Sequence, residues 1–387
     1  MQRRTLIAAA LAAGAVAATL PGAVHAQARN VTINVLTAGD QNMVDYITEF
    51  LGPQFEKANP GVKVRAVGTG PGDAGSQRIW ERLEAQKKAN AASVDVDVAI
   101  VHQKMAGQMV KDGLLSSYRG QVSTGNMATS AITKNALGVN VDGYVMPMFN
   151  SQVAIAYNPA RVSNPPKNFD QLVAWANANP KKFGHNGIRG GMSGVGFVFG
   201  WLYAYAPDQK KLIEGPYDDA TVQALTPALQ KLKAFNAVST ITPGNAGTLD
   251  ALNRGEIDMG PVWMDMFYSW QGEGRLPPTL KLTLLETGLP GQPMYYVIPD
   301  KSANADVSRK FVEMATSPAV QAKGIVERFN WLPGIDAQHV QSHLDAKLWE
   351  RLFRDVPPDM LNKMARPMPQ ADYFTKIQEQ YEKVVLN

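Results

Sequence analysis

The 387-residue chain contains no cysteine. It therefore cannot form disulfides, thiolate zinc sites or thiol nucleophiles, and it cannot carry a lipid on an N-terminal cysteine. Charged residues are also few, at 19% of the chain with a net charge of +4, and no stretch rich in Lys and Arg stands out. This balance argues against a nucleic-acid partner.

Long apolar segments are scarce as well. Residues 6–20 form one, but it is too short to span a bilayer comfortably. It follows Arg3 and Arg4 and precedes a small-residue sequence that ends at Ala26. This order predicts a cleaved export signal over residues 1–26. The Sec and twin-arginine routes both stay open, and we expect a soluble protein exported to a periplasm.

The full chain is globular in composition, with 45% hydrophobic residues, and its length favours two domains. Alternating and β-branched segments predict strands, and amphipathic spacing predicts helices. The predicted strands include residues 31–36, 62–67, 94–101 and 153–157, and the predicted helices include residues 40–58, 76–89, 169–178 and 221–235. Strands that alternate with helices indicate an α/β fold with a mainly parallel sheet.

Two glycine-rich loops each precede a predicted helix. Residues 70–75 match the dinucleotide pattern G-x-G-x-x-G, but the next strand ends at His102 and not at the acid that would bind a ribose. Residues 190–196 form the second loop. If both loops face one cleft, two positive helix N-termini would converge on carboxylate, phosphate or hydroxyl groups. Tight turns that need glycine explain the loops equally well.

Aromatic residues crowd the segment around Asp265, where Trp263, Phe267, Tyr268 and Trp270 lie close in sequence. Aromatic faces beside a few polar groups suit sugar rings or organic cations, although core packing produces the same pattern. No nucleophile elbow, acid–base pair or metal-ligand spacing is distinctive. We therefore predict no catalytic site, no metal and no cofactor.

Five segments occur in a characteristic order. They are residues 55–64 (FEKANPGVKV), 94–103 (VDVDVAIVHQ), 153–172 with PPKNFDQL, 252–263 (LNRGEIDMGPVW) and 297–318 with KFVEMATSP. Together they resemble extracellular solute-binding family 1 of the maltose-binding type, the periplasmic receptors of ABC importers. The resemblance covers essentially all of the chain after the export signal.

The resemblance implies a two-lobed periplasmic binding protein fold of type II, with hinge strands near residues 150–155 and 288–294. Lobe 1 would comprise residues 27–152 with 292–332, and lobe 2 residues 153–291 with 333–387. The solute would close the cleft between the lobes. The closed form would then deliver it to an inner-membrane ABC permease driven by its ATPase. A monomer without enzymatic activity is expected.

The residues predicted to contact the solute lie at strand ends, in the glycine loops, in the hinge and in the aromatic segment. They are Asp40, Asp73, His102, Gln103, Ser151, Met192, Ser193, Trp263, Asp265 and Trp331. A sugar, polyol or sugar-phosphate is the favoured solute because of the aromatics and glycine loops. A polyamine or other organic cation is the alternative, since the set contains three aspartates. An exported polysaccharide-acting enzyme ranks below both.

Overall fold

The computed structural model describes residues 30–70 and 72–387. The export signal predicted over residues 1–26 lies outside the described residues. Among the residues that are described, no helix combines the length and the apolar character that a membrane span requires.

A nine-stranded sheet runs through the molecule. Its longer strands are β1 (Val31–Thr37), β2 (Val62–Gly68), β3 (Val98–His102), β4 (Val145–Tyr157), β5 (Met259–Trp263), β6 (Lys281–Thr283) and β7 (Leu289–Val297). They follow the order β6–β4–β7–β3–β1–β2, and β5 also pairs with β4. The short strands are Leu332–Pro333 and Ala365–Arg366 in this sheet, and the separate pairs Asn135–Ala136 with Val139–Asn140 and Gly184–His185 with Thr240–Ile241.

The first three strands form the parallel part of the sheet. β1 pairs with β2 on one side and with β3 on the other. In β3, every residue before His102 is buried, which indicates that both faces of the sheet are covered here. A short continuous apolar strand is typical of that position in an α/β fold.

β4 belongs to both halves of the sheet. Residues 145–152 pair antiparallel with β7, whereas residues 153–157 pair with β5 and residues 155–157 with β6. The hydrogen-bonding partners therefore change between Gln152 and Val153 along one continuous strand. β7 in turn pairs antiparallel with β3, so the chain crosses between the halves more than once.

Helices cover the sheet. Those of nine or more residues are α1 (Gly72–Lys88), α2 (Gln103–Lys111), α3 (Phe169–Ala178), α4 (Met192–Tyr205), α5 (Thr226–Val238), α6 (Gly244–Asn253), α7 (Met264–Gly272), α8 (Ala305–Ala315) and α9 (Ala371–Tyr381). Residues 41–58 and 318–327 form continuous helical runs, and the shorter helices are Gln209–Glu214, Asp219–Gln223, Ala346–Phe353 and Pro358–Met364.

Two clusters of buried apolar side chains hold these elements together. The first contains the parallel strands, with Ile33, Ile100 and Phe311 among its members. The second surrounds α4, which is apolar on all sides and is buried from Ser193 to Tyr203. The first cluster also includes side chains of β5 and α7, such as Val262 and Phe267, so it extends along the shared sheet. The molecule has the two-lobed α/β architecture that the resemblance implied. The lobe boundaries given above stay a prediction.

Candidate functional site

Two adjoining cavities open between the lobes. The larger has a volume of about 430 Å³ and the smaller about 230 Å³. His102, Met192 and Gln292 line both of them, so the two cavities form one continuous cleft. Its walls are built mainly from strand ends and the first turns of helices, where backbone amides are not used within the helix.

On the lobe 1 side, β3 runs directly into α2 at the cleft. His102 is the last residue of the strand, and Gln103 and Lys104 form the first turn of the helix, which has no side-chain cap. The backbone N–H of His102 donates to Ser76 Oγ at 3.0 Å, which ties this junction to α1. The positive end of the α2 dipole therefore lies at the cavity wall.

On the lobe 2 side, β5 runs into α7 in the same way. Trp263 ends the strand, and Asp265 is the second residue of the helix. The Ser151 hydroxyl donates to Asp265 Oδ1, and the backbone N–H of Met266 also hydrogen-bonds the carboxylate. Burial raises the pKa of Asp265, and these hydrogen bonds partly oppose the shift. No positively charged side chain of the described chain contributes to it.

The two hinge strands lie between the junctions. Ser151 on β4 faces Gln292 on β7 in the ladder, and both line the cleft. Phe149 also lines it, and its ring packs on Trp331 with centroids 4.4 Å apart. Trp331 stacks on Phe329 at the same distance. Three packed aromatic rings therefore support this part of the wall.

The second glycine-rich loop places the N-terminus of α4 on the lobe 2 wall. Met192 begins the helix and remains 37% exposed. A Cβ on Gly194 would overlap the carbonyl oxygen of Gly187, so this close approach requires glycine. Beneath the loop, the buried His185 accepts the Gly187 N–H at Nδ1 (3.2 Å) and pairs with Asn236 through Nε2 (2.9 Å). Burial lowers the pKa of His185 to about 4, so the ring is neutral.

His102 sits at the centre of the cleft, between the two cavities. Burial lowers the pKa of its imidazole below the ordinary value, and the Asp73 carboxylate partly opposes this shift. Asp73 is exposed in the first turn of α1, where the helix dipole favours a negative charge. At neutral pH the imidazole is therefore uncharged and can both donate and accept hydrogen bonds.

The structure brings together seven of the ten predicted residues. Those that line the cleft are Asp73, His102, Gln103, Ser151, Met192, Trp263 and Asp265. Asp40 lies outside both cavities, exposed at the start of the helical run 41–58. Ser193 is buried behind the wall, where its hydroxyl donates to Asn186 Oδ1 at 3.1 Å. Trp331 supports Phe149 from behind.

Several lining residues were not predicted. On α9, Ala371, Phe374, Thr375 and Gln378 present one face to the larger cavity. Their i, i+3, i+4, i+7 spacing marks a shared helix face, but only the tertiary structure turns that face toward the cleft. Gln292 is the one residue of β7 that is not buried. A single polar residue between two prolines in an otherwise apolar strand indicates, from sequence alone, a position that faces solvent or a ligand.

The profile of the bacterial extracellular solute-binding protein family matches residues 40–322. The chain belongs to this family. As a member, it is an extracellular solute-binding protein and not an enzyme. Family membership also implies an exported protein that delivers its ligand to a permease. No curated protein sequence matches the chain.

Solved solute-binding proteins share the fold. The spermidine/putrescine ABC transporter substrate-binding protein of Streptococcus pneumoniae has a TM-score of 0.65 and 14% identity, covering 92% of this chain and 99% of its own. The cyclic α-maltosyl-1,6-maltose binding protein of Arthrobacter globiformis has a TM-score of 0.66 and 14% identity, covering 92% and 94%. At these identities the similarity shows the fold and leaves the solute open.

Proposed function

We propose that this solute-binding protein captures a small organic cation in the cleft between its lobes. The observation that carries the proposal is Asp265, a partly buried carboxylate whose only described polar partners are the Ser151 hydroxyl and backbone amides. Even partial burial of a carboxylate without a cation is unfavourable, and a cationic ligand would supply the missing charge. Trp263 and Phe149 line the same cavity and offer aromatic faces to that cation.

A neutral sugar or polyol is the second candidate. The same aromatic rings could stack on a sugar ring, and Ser151, Gln292 and His102 could bind hydroxyl groups. The fold is compatible with both classes, because its neighbours include a polyamine binder and an oligosaccharide binder. We place the cation first because hydroxyl groups would leave the charge of Asp265 without a counter-charge.

Delivery would follow from closure of the two lobes. A solute that touches both strand–helix junctions stabilises the closed form, since only that form makes both sets of contacts. The proposal includes a periplasmic monomer whose export signal is removed near Ala26. The closed form docks on an inner-membrane permease, and the partner ATPase drives release of the solute into the membrane channel.

A thermal-shift screen tests the ligand class. The probes are spermidine, choline, glucose, glycerol and glycerol 3-phosphate, each added to the purified full chain. We expect a cation to raise the melting temperature, because a ligand that binds only the folded state stabilises it. A shift with neutral sugars alone would replace the cation with the second candidate, and no shift with any class would contradict a solute site in this cleft.

Asp265→Asn tests the residue that carries the proposal. The amide keeps the shape and still accepts from Ser151, so we expect about 100-fold weaker binding of the cation with no fall in the ligand-free melting temperature. Asp306→Asn is the matched control, because Asp306 is also the second residue of a helix but pairs with Arg309 on the surface. Equal affinity in wild type and Asp265→Asn would remove the basis of the proposal.

A further inference from the structure

The larger cavity contains a polar side chain that the described protein leaves unsatisfied. Gln103 is 1% exposed, and neither its Nε2 nor its Oε1 has a hydrogen-bond partner in the described chain. The Tyr295 hydroxyl lies beside it; burial raises the pKa of this phenol, and the contact with Gln103 partly lowers it. The geometry of that contact is too poor for a full hydrogen bond, however, and the hydroxyl donates to the carbonyl oxygen of Ile132 at 2.9 Å. A buried amide without partners costs free energy, so a group that enters the cavity gains by pairing with it.

The surroundings of Gln103 favour a group that accepts hydrogen bonds and carries negative charge. Lys104 follows Gln103 on α2 and lines the same cavity. The first turns of α2 in lobe 1 and α4 in lobe 2 both lie at this cavity and have no side-chain cap. By contrast, α9 starts at the same cavity with its first amides already used, because Gln370 Oε1 accepts from Tyr373 N–H at 3.2 Å.

Asp73 is the one acidic side chain lining this cavity among the described residues. It is exposed, and its charge lies in the first turn of α1, where that helix dipole already offsets it. Water and its own helix therefore weaken its negative charge, although the charge still reaches His102. The buried donor Gln103 and the cation of Lys104 remain to bind an anionic group.

We infer that the solute is zwitterionic: its ammonium group pairs with Asp265 in the smaller cavity and its carboxylate is bound by Gln103 and Lys104 in the larger one. This rests on the proposed function, because it adds a second charged end to the cation placed at Asp265. His102, Met192 and Gln292 line both cavities, so one molecule can reach the two ends. The substrate class is an amine-bearing carboxylic acid.

A matched ligand series separates the two ends of the solute. The probes are ω-amino acids from 3-aminopropanoate to 6-aminohexanoate and N-trimethyl-4-aminobutanoate, compared with diamines and simple alkylamines of the same lengths. We expect at least one zwitterion to bind at least 10-fold more tightly than the matched amine and diamine in calorimetry with the full chain. Equal or tighter binding of the amine or diamine overturns the inference but leaves the proposed cation site intact. If no amine of any kind binds, both fail.

Substitutions in α2 test which residues bind the carboxylate of the solute. Gln103→Glu places a like charge against the carboxylate, so zwitterion binding should fall at least 30-fold while diamine binding does not weaken. Gln103→Met, which adds no buried charge, should fold normally and lose about 10-fold, since a charge-assisted hydrogen bond is removed. Unchanged zwitterion affinity in Gln103→Met overturns the assignment.

Lys104→Gln should weaken zwitterion binding by about three- to tenfold, as expected for a partly solvated charge pair. Lys111→Gln at the exposed end of the same helix is the control and should change nothing. Asp73→Asn distinguishes a zwitterion from a diamine that would bridge Asp73 and Asp265. It should leave zwitterion affinity within about threefold, and a tenfold loss would contradict the inference.

Discussion

The two strand–helix junctions of the cleft share a backbone plan and differ in chemistry. In lobe 1 the five-residue strand β3 passes without a loop into the nine-residue helix α2, and in lobe 2 β5 passes in the same way into α7. The first junction presents an imidazole, an amide and an ammonium group. The second presents an indole and a carboxylate. Equivalent backbone positions thus carry a positive charge on one wall and a carboxylate on the other, so the two ends of the cleft differ in charge.

The first turns of α1 and α4, which follow the two glycine-rich loops, also share a backbone arrangement and differ in the side chains that support it. A Cβ on Gly75 in α1 would overlap the carbonyl oxygen of Gly70, just as one on Gly194 would overlap that of Gly187. The supports beneath them differ. In lobe 1 the Thr69 hydroxyl donates to the Gly75 carbonyl oxygen at 2.9 Å, whereas in lobe 2 a neutral buried histidine holds the loop. The lobe 2 wall alone therefore carries a titratable support.

The largest expected difference between the two walls is their response to acid, because His185 supports only the lobe 2 loop. The pKa of His185 is about 4 in the folded protein, and about 6.5 is its ordinary value in the unfolded chain. Between these values the unfolded state binds more protons, so stability is complete above pH 6.5 and falls as pH drops toward 4. We expect His185 to contribute a loss of about 3 kcal/mol in the free energy of unfolding across this window, measured by urea titration as the difference between the wild type and a variant that lacks this histidine.

Two histidine variants isolate this effect. His185→Gln cannot titrate, so the slope of stability against pH should flatten between pH 6.5 and 4. His343→Gln changes an exposed histidine and should retain the slope of the wild type. A slope that His185→Gln leaves unaltered would show that acid acts on other groups and would remove this difference between the walls.

Glycine-to-alanine substitutions at the starts of α1 and α4 test the close backbone approach that the two walls share. Gly75→Ala and Gly194→Ala both force a Cβ against backbone, which cannot move as a flexible side chain can. Each should lower the free energy of unfolding by about 2 kcal/mol and weaken solute binding. Gly120→Ala is the control, because a Cβ there meets no atom within 4 Å. Urea midpoints measure the cost, and a neutral result at one site would show that only one wall depends on this close approach.

Trp263→Ala tests whether the indole on the lobe 2 wall contacts the solute. Trp263 is partly buried and lines the smaller cavity, so its removal should weaken solute binding about 30-fold while the protein remains folded. Trp349→Ala removes a tryptophan that packs on Phe353 away from the cleft, and it should bind normally. Calorimetry with the best ligand from the screen measures both. Normal binding by Trp263→Ala would place the lobe 2 wall elsewhere.

Local elements were predictable where the sequence carries its own boundary signals. The helix at residues 169–178 was found at those bounds because the Asn168 side chain caps it and its apolar spacing is regular. The helix predicted at residues 221–235 is instead interrupted after Gln223, and α5 restarts with Pro227 in its first turn. Proline has no amide hydrogen to continue a helix, so Pro227 is a sequence signal for this break.

The strand predicted at residues 94–101 also needed tertiary information. Only Val98–His102 forms the strand. Before it, the Asp97 carboxylate accepts the Asn34 backbone N–H at 2.8 Å, so a side chain takes the place of a ladder hydrogen bond. A period-two pattern cannot reveal that exchange.

The site residues that follow strand ends could be predicted from the sequence, whereas those on α9 near the C-terminus could not. His102, Gln103, Trp263 and Asp265 follow strands that could be read from sequence, and carboxyl ends of strands in α/β sheets border clefts. The α9 face enters the site from more than 100 residues further on than Trp263, and no local pattern fixes where a terminal helix docks. Ser193 went behind the wall because one step along a helix turns a side chain by about 100°.

The continuous strand β4 has an evolutionary consequence. Because one strand serves both halves of the sheet, neither half possesses a complete sheet of its own. A gene fragment encoding a single half would leave strand edges unpaired, and such edges invite aggregation. Recombination that swaps whole halves between relatives is therefore disfavoured. Point substitutions at the strand ends and helix starts that border the cleft, by contrast, can change its chemistry and leave this shared strand intact.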